Sequence, residues 1–184
     1  MNKNIYIVRH AEATGQEPDA SLTEKGFGQA EELCDLFTDM KVDKIISSPY
    51  LRAVQTIEPL AEKHQLKIET DPRLKERILS SQFFPDWQVK LEASYEDMNL
   101  KYEGGESGIE AMNRIVEIVE EMISSDLENI VLVAHGGIIS LLLRHYDKTF
   151  GFEQWRKLTN PDVFLLNVMK DNSQYKRIWD DWRS

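Results

Sequence analysis

The stretch Asn129-Ile130-Val131-Leu132-Val133-Ala134-His135-Gly136-Gly137 decides the fold. Its apolar run from Ile130 to Ala134 is too short for a core helix and is rich in β-branched residues, so it reads as a strand buried on both faces. His135 ends that strand, and the two glycines open an apolar helix from Ile138 to about Tyr146. A strand that passes directly into a helix is the repeating unit of an α/β sheet. Working outward, the same pattern recurs. Ile5 to Val8 is a short apolar run ending in Arg9-His10, and Asp43-Lys44-Ile45-Ile46-Ser47 leads into Ser48-Pro49. Thr23 is placed to cap a helix from about Glu24 to Met40, with Phe27, Ala30, Leu33, Cys34 and Phe37 on one stripe. Ser48 as cap and Pro49 at the first helical position predict a helix to about Gln65, kinked by Pro59 near Ile57 or Glu58. Ser107 and Glu110 form a capping-box pattern ahead of a stripe of Ile109, Met112, Ile115, Val116, Val119 and Ile123. Val163 to Met169 and Tyr175 to Trp179 add two late strands, the last at an edge. The expected architecture is a single α/β domain over residues 1–184, a mainly parallel central sheet flanked by helices with right-handed crossovers. Residues 77–105, aromatic and acidic without a firm period, predict a lid-like insertion within it.

The 184 residues suffice for one domain with a real core. A composition 41% apolar and 29% charged is that of an ordinary globular chain. Lys and Arg number 22 against 32 Asp and Glu, a formal net charge of −10, which argues against general binding to nucleic acid or anionic membrane. The single cysteine, Cys34, permits no intrachain disulfide. With an N-terminal apolar run broken at Arg9, it predicts no secretory signal and a reducing, cytoplasmic setting. The best membrane candidate, Ile130 to Leu143, falls short of the roughly 20 apolar residues a spanning helix needs.

Three strands thus end in a cation or nucleophile: Arg9-His10, Ser48-Pro49 with Arg52 a turn later, and His135-Gly136-Gly137. In an open parallel sheet, ligands bind where strand ends, loops and helix N-termini converge. Helix N-termini favour anions, and arginine presents a planar fork that matches phosphate oxygens. Two arginines and two histidines there suggest a phosphoryl group, with one histidine as a nucleophile through a neutral ring nitrogen. A carboxylate ligand is the weaker alternative because it needs fewer donors. No Cys/His cluster or paired-histidine helix of the zinc type occurs.

These residues resemble the histidine phosphatase superfamily, the group that includes cofactor-dependent phosphoglycerate mutases. The blocks agree in order: Ile5-Tyr6-Ile7-Val8-Arg9-His10-Ala11-Glu12, Leu22-Thr23-Glu24-Lys25-Gly26 with Gln29-Ala30, and Ser47-Ser48-Pro49 with Arg52-Ala53 and Gln55-Thr56. Leu74-Lys75-Glu76, Gly105-Glu106-Ser107 and Val131 to Gly137 follow. The resemblance implies that His10 is phosphorylated, that Arg9, Arg52 and His135 hold the phosphoryl oxygens, and that Glu76 is the acid, with no metal and no cofactor. A carboxyl that protonates an alkoxide and then deprotonates water needs a pKa near the working pH, which burial beneath the aromatic insertion would supply. Glu12 and Glu106 are the alternative acids. Two departures are informative. Gln16 stands where the mutase-type motif carries Asn, and Arg77-Ile78-Leu79-Ser80-Ser81-Gln82 replaces a glycine-containing stretch, so substrate recognition should differ. The implied activity is metal-independent hydrolysis of a small phosphomonoester through a phosphohistidine on His10. A mutase-type phosphotransferase, a phosphohistidine-protein phosphatase and a non-catalytic phospholigand module are the alternatives.

Other conspicuous residues have plainer readings. His64 and His145 sit near helix ends and read as structural, as does Cys34 on its apolar stripe. Trp179 and Trp182 are expected in core packing or a homodimer contact. Phe83, Phe84 and Trp87 either form a satellite core under a long loop or wall a pocket for a bulky phosphoester.

Overall fold

The structure, a computed structural model, describes residues 2–169 and 172–179; Trp182 lies outside them. Its strands are β1 (Lys3–Arg9), β2 (Lys44–Ser47), β3 (Ile68–Thr70), β4 (Asn129–Ala134), β5 (Asp162–Met169) and β6 (Asn172–Arg177). They form one sheet in the order β3-β2-β4-β1-β5-β6. The pairs β2–β3, β2–β4 and β1–β4 are parallel, while β5 runs antiparallel to β1 and to the edge strand β6. The helices are α1 (Glu24–Leu36), α2 (Leu51–His64), α3 (Trp87–Glu96), α4 (Gly108–Ser124), α5 (Gly136–Tyr146) and α6 (Phe152–Arg156).

Side-chain alternation along the strands separates two cores. Ile5, Ile7, Ile130, Leu132 and Ala134 point to the face covered by α4 and α5. Tyr6, Val8, Ile45, Val131 and Val133 point to the face covered by α1 and α2. Both faces of β1 and β4 are therefore dry, which is why those strands read as unbroken apolar runs. Cys34 and Trp179 pack in the second core, as expected of structural residues.

Several local expectations shift. Thr23 caps α1 by accepting from the Gly26 N–H, but the helix stops at Leu36. Ser48 does not cap α2, which starts at Leu51 with Tyr50 as N-cap and runs through Pro59 as a single helix to His64. The capping box of Ser107 and Glu110 forms with both reciprocal bonds. The buried stripe of α4 holds Met112, Ile115, Val116 and Val119 as expected and widens to Ala111, Ile118 and Met122, while Ile109 is exposed at the first turn. β6 ends before Trp179. The aromatic segment contains α3, which its weak periodicity did not announce.

Candidate active site

Strand register builds the site. β1 pairs Arg9 with Ala134 and β2 pairs Ser47 with Val133, so Ser48, His135 and His10 leave three neighbouring strands side by side. The ladder continues one step further: His10 N–H donates to the Ala134 carbonyl at 3.2 Å and Ser48 N–H to the Val133 carbonyl at 2.8 Å. The two imidazoles consequently lie with ring centroids 5.1 Å apart.

His10 is buried, and its Nδ1 lies 2.7 Å from the Ala11 carbonyl. A carbonyl can only accept, so Nδ1 carries the proton and Nε2 presents its lone pair. Arg52 Nε donates to that Nε2 at 3.3 Å. Burial, opposed only in part by the Ala11 bond, and the neighbouring Arg52 and Arg9 charges lower the His10 pKa to about 3. His135, fully buried, is likewise held well below its ordinary value by burial and then by His10, Arg52 and Arg9. Both rings are therefore neutral at neutral pH. The unfolded chain protonates histidine near pH 6.5, so the unfolded state binds more protons below that pH and stability falls as pH drops toward 3. His10 contributes a loss of about 1.4 kcal/mol per pH unit in that window. His10→Ala should flatten the decline of thermal midpoint between pH 6 and 4. Parallel wild-type and mutant curves would refute the neutral-ring assignment.

Arg52, from the first turn of α2, is fully buried and donates through Nη1 to the Glu17 carbonyl at 2.9 Å. Its guanidinium lies 5.0 Å from the Tyr50 ring centroid, and the same ring packs edge-on to His135. Arg9 donates to the carbonyls of Leu158 at 3.2 Å and Thr159 at 3.4 Å, while its buried Nε has no partner. Burial lowers the pKa of both guanidiniums, which nevertheless remain charged. Neither forms an ion pair with a described carboxylate. Glu76 acts on both only through space, so two buried guanidiniums with no carboxylate in contact form a cradle that suits an anion. His135 Nε2 meets Ser48 Oγ at 2.8 Å, and its buried Nδ1 is without a partner. Ser48 Oγ also accepts from the Tyr50 N–H; with its own proton given to His135 Nε2, the His135 proton is carried on Nδ1.

Glu76 arrives from the segment after the 3-10 turn Pro72–Leu74 and docks on the N-terminus of α5. Its carboxylate accepts from the N–H groups of Gly137 at 3.0 Å, Ile138 at 2.9 Å and Arg77 at 2.7 Å. It is half-buried, not covered as the sequence reading expected. The glycine pair now has a steric reason. A Cβ on Gly136 would stand 2.9 Å from Arg9 Cζ, and one on Gly137 would stand 2.7 Å from Glu76 Oε1. Arg114 of α4, which the sequence did not single out, clamps this segment by donating to the carbonyls of Arg73 at 2.6 Å, Lys75 at 2.8 Å and Glu76 at 3.2 Å.

The alternative acids are otherwise engaged. Glu106 makes a two-point pair with Arg114 at 2.7 and 3.0 Å and accepts from the Ile78 N–H. Although its burial pushes upward, that pairing holds the Glu106 carboxyl below its usual range. Glu12 serves the start of α1, accepting from Thr23 Oγ1 and facing Lys25. His64 and His145 lie at the C-terminal ends of α2 and α5, opposite the ends that build the site. Asn160 was not foreseen: its side-chain amide donates to the His10 carbonyl at 2.9 Å and fixes the backbone of the nucleophile.

A cavity of about 490 Å³ opens beside Arg9, Glu76 and Gly137, and Gln16 lines it as well. Its far wall is Arg77, Leu79, Trp87, Leu91 and Trp155. Of the three aromatics singled out in the sequence, only Trp87 lines this cavity. Phe84 packs on Tyr102 and Lys90 as a satellite cluster, and Phe83 stands in solvent. No group of His, Cys, Asp and Glu among the described residues is arranged to hold a metal ion, and no described helix is long and apolar enough to cross a membrane.

Comparison with known proteins gives the family. The family model of the histidine phosphatase superfamily (branch 1) matches residues 5–181. The chain is 31% identical to "Putative phosphoserine phosphatase 2" of Hydrogenobacter thermophilus over 77% of each chain. It is 29% identical to the adenosylcobalamin/alpha-ribazole phosphatase of Salmonella typhimurium, over 76% of this chain and 77% of that one. Among solved structures, a mycobacterial glucosyl-3-phosphoglycerate phosphatase in complex with inorganic phosphate superimposes with a TM-score of 0.75 at 26% identity, covering 95% of both chains.

Proposed function

The chain belongs to the histidine phosphatase superfamily, and from that premise we propose that it hydrolyses a small phosphomonoester through a phosphohistidine on His10 Nε2. The observation that carries the reading is the His10 ring: neutral, its Nδ1–H fixed on the Ala11 carbonyl, its unprotonated Nε2 held by the Arg52 Nε–H. Relatives named as phosphatases support the reaction class.

In the first step Nε2 attacks phosphorus and the bond to the ester oxygen breaks. Arg9, Arg52 and the His135 Nδ1–H take the equatorial oxygens, whose charge is what such sites stabilise. The Ala11 carbonyl accepts from Nδ1 and offsets the positive charge the ring acquires. Glu76 gives its proton to the departing oxygen. In the second step Glu76 takes a proton from water, the water oxygen bonds to phosphorus, the N–P bond breaks, and inorganic phosphate leaves with His10 neutral again. A carboxyl group has about four lone-pair sites; the three amides on Glu76 leave one for this proton. Residues 77–105, which supply much of the cavity wall, would act as a lid that admits the alcohol part of the ester.

Mixing the enzyme with radiolabelled aryl phosphate in excess EDTA, followed by a quench, should trap one acid-labile, base-stable phosphoryl group per chain. Turnover that proceeds with no trapped phosphoenzyme, or that EDTA abolishes, would overturn the mechanism.

A further inference from the structure

Beyond the phosphoryl cradle, the cavity holds a cation that the reaction does not use. Arg77 lines it while only 8% exposed. Its Nη1 donates to Ser94 Oγ at 2.9 Å, its Nη2 to the Glu106 carbonyl at 3.4 Å, and its Nε has no partner. All the described acceptors are neutral. The adjacent Glu76 carboxylate is taken by three amides, and the Glu106 carboxylate by Arg114 and the Ile78 N–H. No described carboxylate lies within ion-pair distance of Arg77; Glu106 and Glu76 act on it only through space, and its buried Nε is left with no acceptor. The phosphoryl dianion is already matched by Arg9 and Arg52. Arg77 is a third charge, displaced toward the alcohol side of the cavity.

The rest of that side is apolar and flat. Trp87 and Trp155 meet at 90° with ring centroids 6.1 Å apart, and Leu91 closes the wall between them and the core. Two perpendicular indoles offer a face and an edge to a planar group. The volume of about 490 Å³ suits a leaving group of one or two rings.

Resting on the proposed phosphatase reading, we propose that the preferred substrate is a phosphomonoester of a flat, apolar alcohol that carries a carboxylate, with the flat body against Trp87 and Trp155 and the carboxylate on Arg77. Arg77 is on this account a specificity residue and takes no part in bond breaking. A planar fork of donors favours a carboxylate over an isosteric amide, because the amide's NH2 would face N–H groups.

The test compares kcat/KM of the wild-type protein for 3- and 4-carboxyphenyl phosphate with the matching carbamoylphenyl phosphates. The amide withdraws electrons more strongly and makes the better leaving group, so a carboxylate preference cannot come from the chemical step. The expected preference is about 10- to 100-fold, the range of a hydrogen bond to a charged partner. Arg77→Met should bring the ratio near unity, Arg77→Lys should keep part of it, and Trp87→Ala should raise KM for both substrates. The wild-type ratio needs no variant to fold. Equal rates, a preference for the amide, or a ratio unchanged in Arg77→Met would overturn the assignment while leaving the phosphatase reading intact. Failure to hydrolyse any of the aryl phosphates would sink that reading, and this inference with it.

Discussion

His10→Ala is expected to lower kcat on every phosphomonoester by on the order of 10⁴-fold or more, the scale on which removal of a covalent nucleophile is felt. Nothing else at the site can replace Nε2. His135 is the only other imidazole nearby among the described residues, and the Ser48 hydroxyl holds its Nε2. The fold should survive the change, since Asn160 and the Ala134 carbonyl bond the His10 backbone and not its ring. Added imidazole should restore part of the activity by occupying the space the ring leaves, a rescue that a merely misfolded variant would not show. Arg52→Met should be milder, about 10²- to 10³-fold in kcat, because it removes one charge-stabilising donor and leaves the nucleophile in place. Activity retained in His10→Ala, measured by phosphate release, would remove the proposed intermediate altogether.

How much of this was legible depended on whether a residue's place is fixed by local pattern or by long-range packing. The apolar run Ile130 to Ala134 and its turn into Gly136-Gly137 told the fold correctly, because a strand dry on both faces has few other readings. His10 and His135 followed from the same logic: residues that end adjacent parallel strands must emerge together once the register is set, as Arg9 opposite Ala134 shows. The start of α2 was misplaced because Ser48 resembles a cap, whereas its hydroxyl serves His135 and the helix begins three residues later. Glu106 read as an alternative acid and Arg114 drew no notice; that the two pair with each other, beside the loop that carries Glu76, depends on long-range packing. Trp155 comes from the five-residue α6 and Asn160 from the loop beyond it, both too short of pattern to announce their place beside the site. Arg77 was noticed only as a departure from the family pattern, and its unpartnered Nε is visible only in three dimensions.

Glu76→Gln should split substrates by the basicity of the departing oxygen. An alkoxide needs the proton as the ester bond breaks, so alkyl phosphates are expected to lose about 10²- to 10⁴-fold in kcat/KM, the usual range for a general acid. A nitrophenolate leaves without a proton, so phosphorylation of His10 by 4-nitrophenyl phosphate should be nearly unaffected. Hydrolysis of the phosphohistidine would then slow, because the same carboxylate is the base for water, and the phosphoenzyme should accumulate to most of the protein. The substitution has a structural cost. Both carboxylate oxygens accept from backbone N–H groups, so whichever end carries the new NH2 faces a donor and leaves that N–H unsatisfied, about 1–3 kcal/mol of stability. A thermal midpoint measures that loss, and it cannot produce a dependence on the leaving group. If alkyl and aryl phosphates fall by the same factor, and no phosphoenzyme builds up, Glu76 only braces the start of α5 and the proton comes from elsewhere.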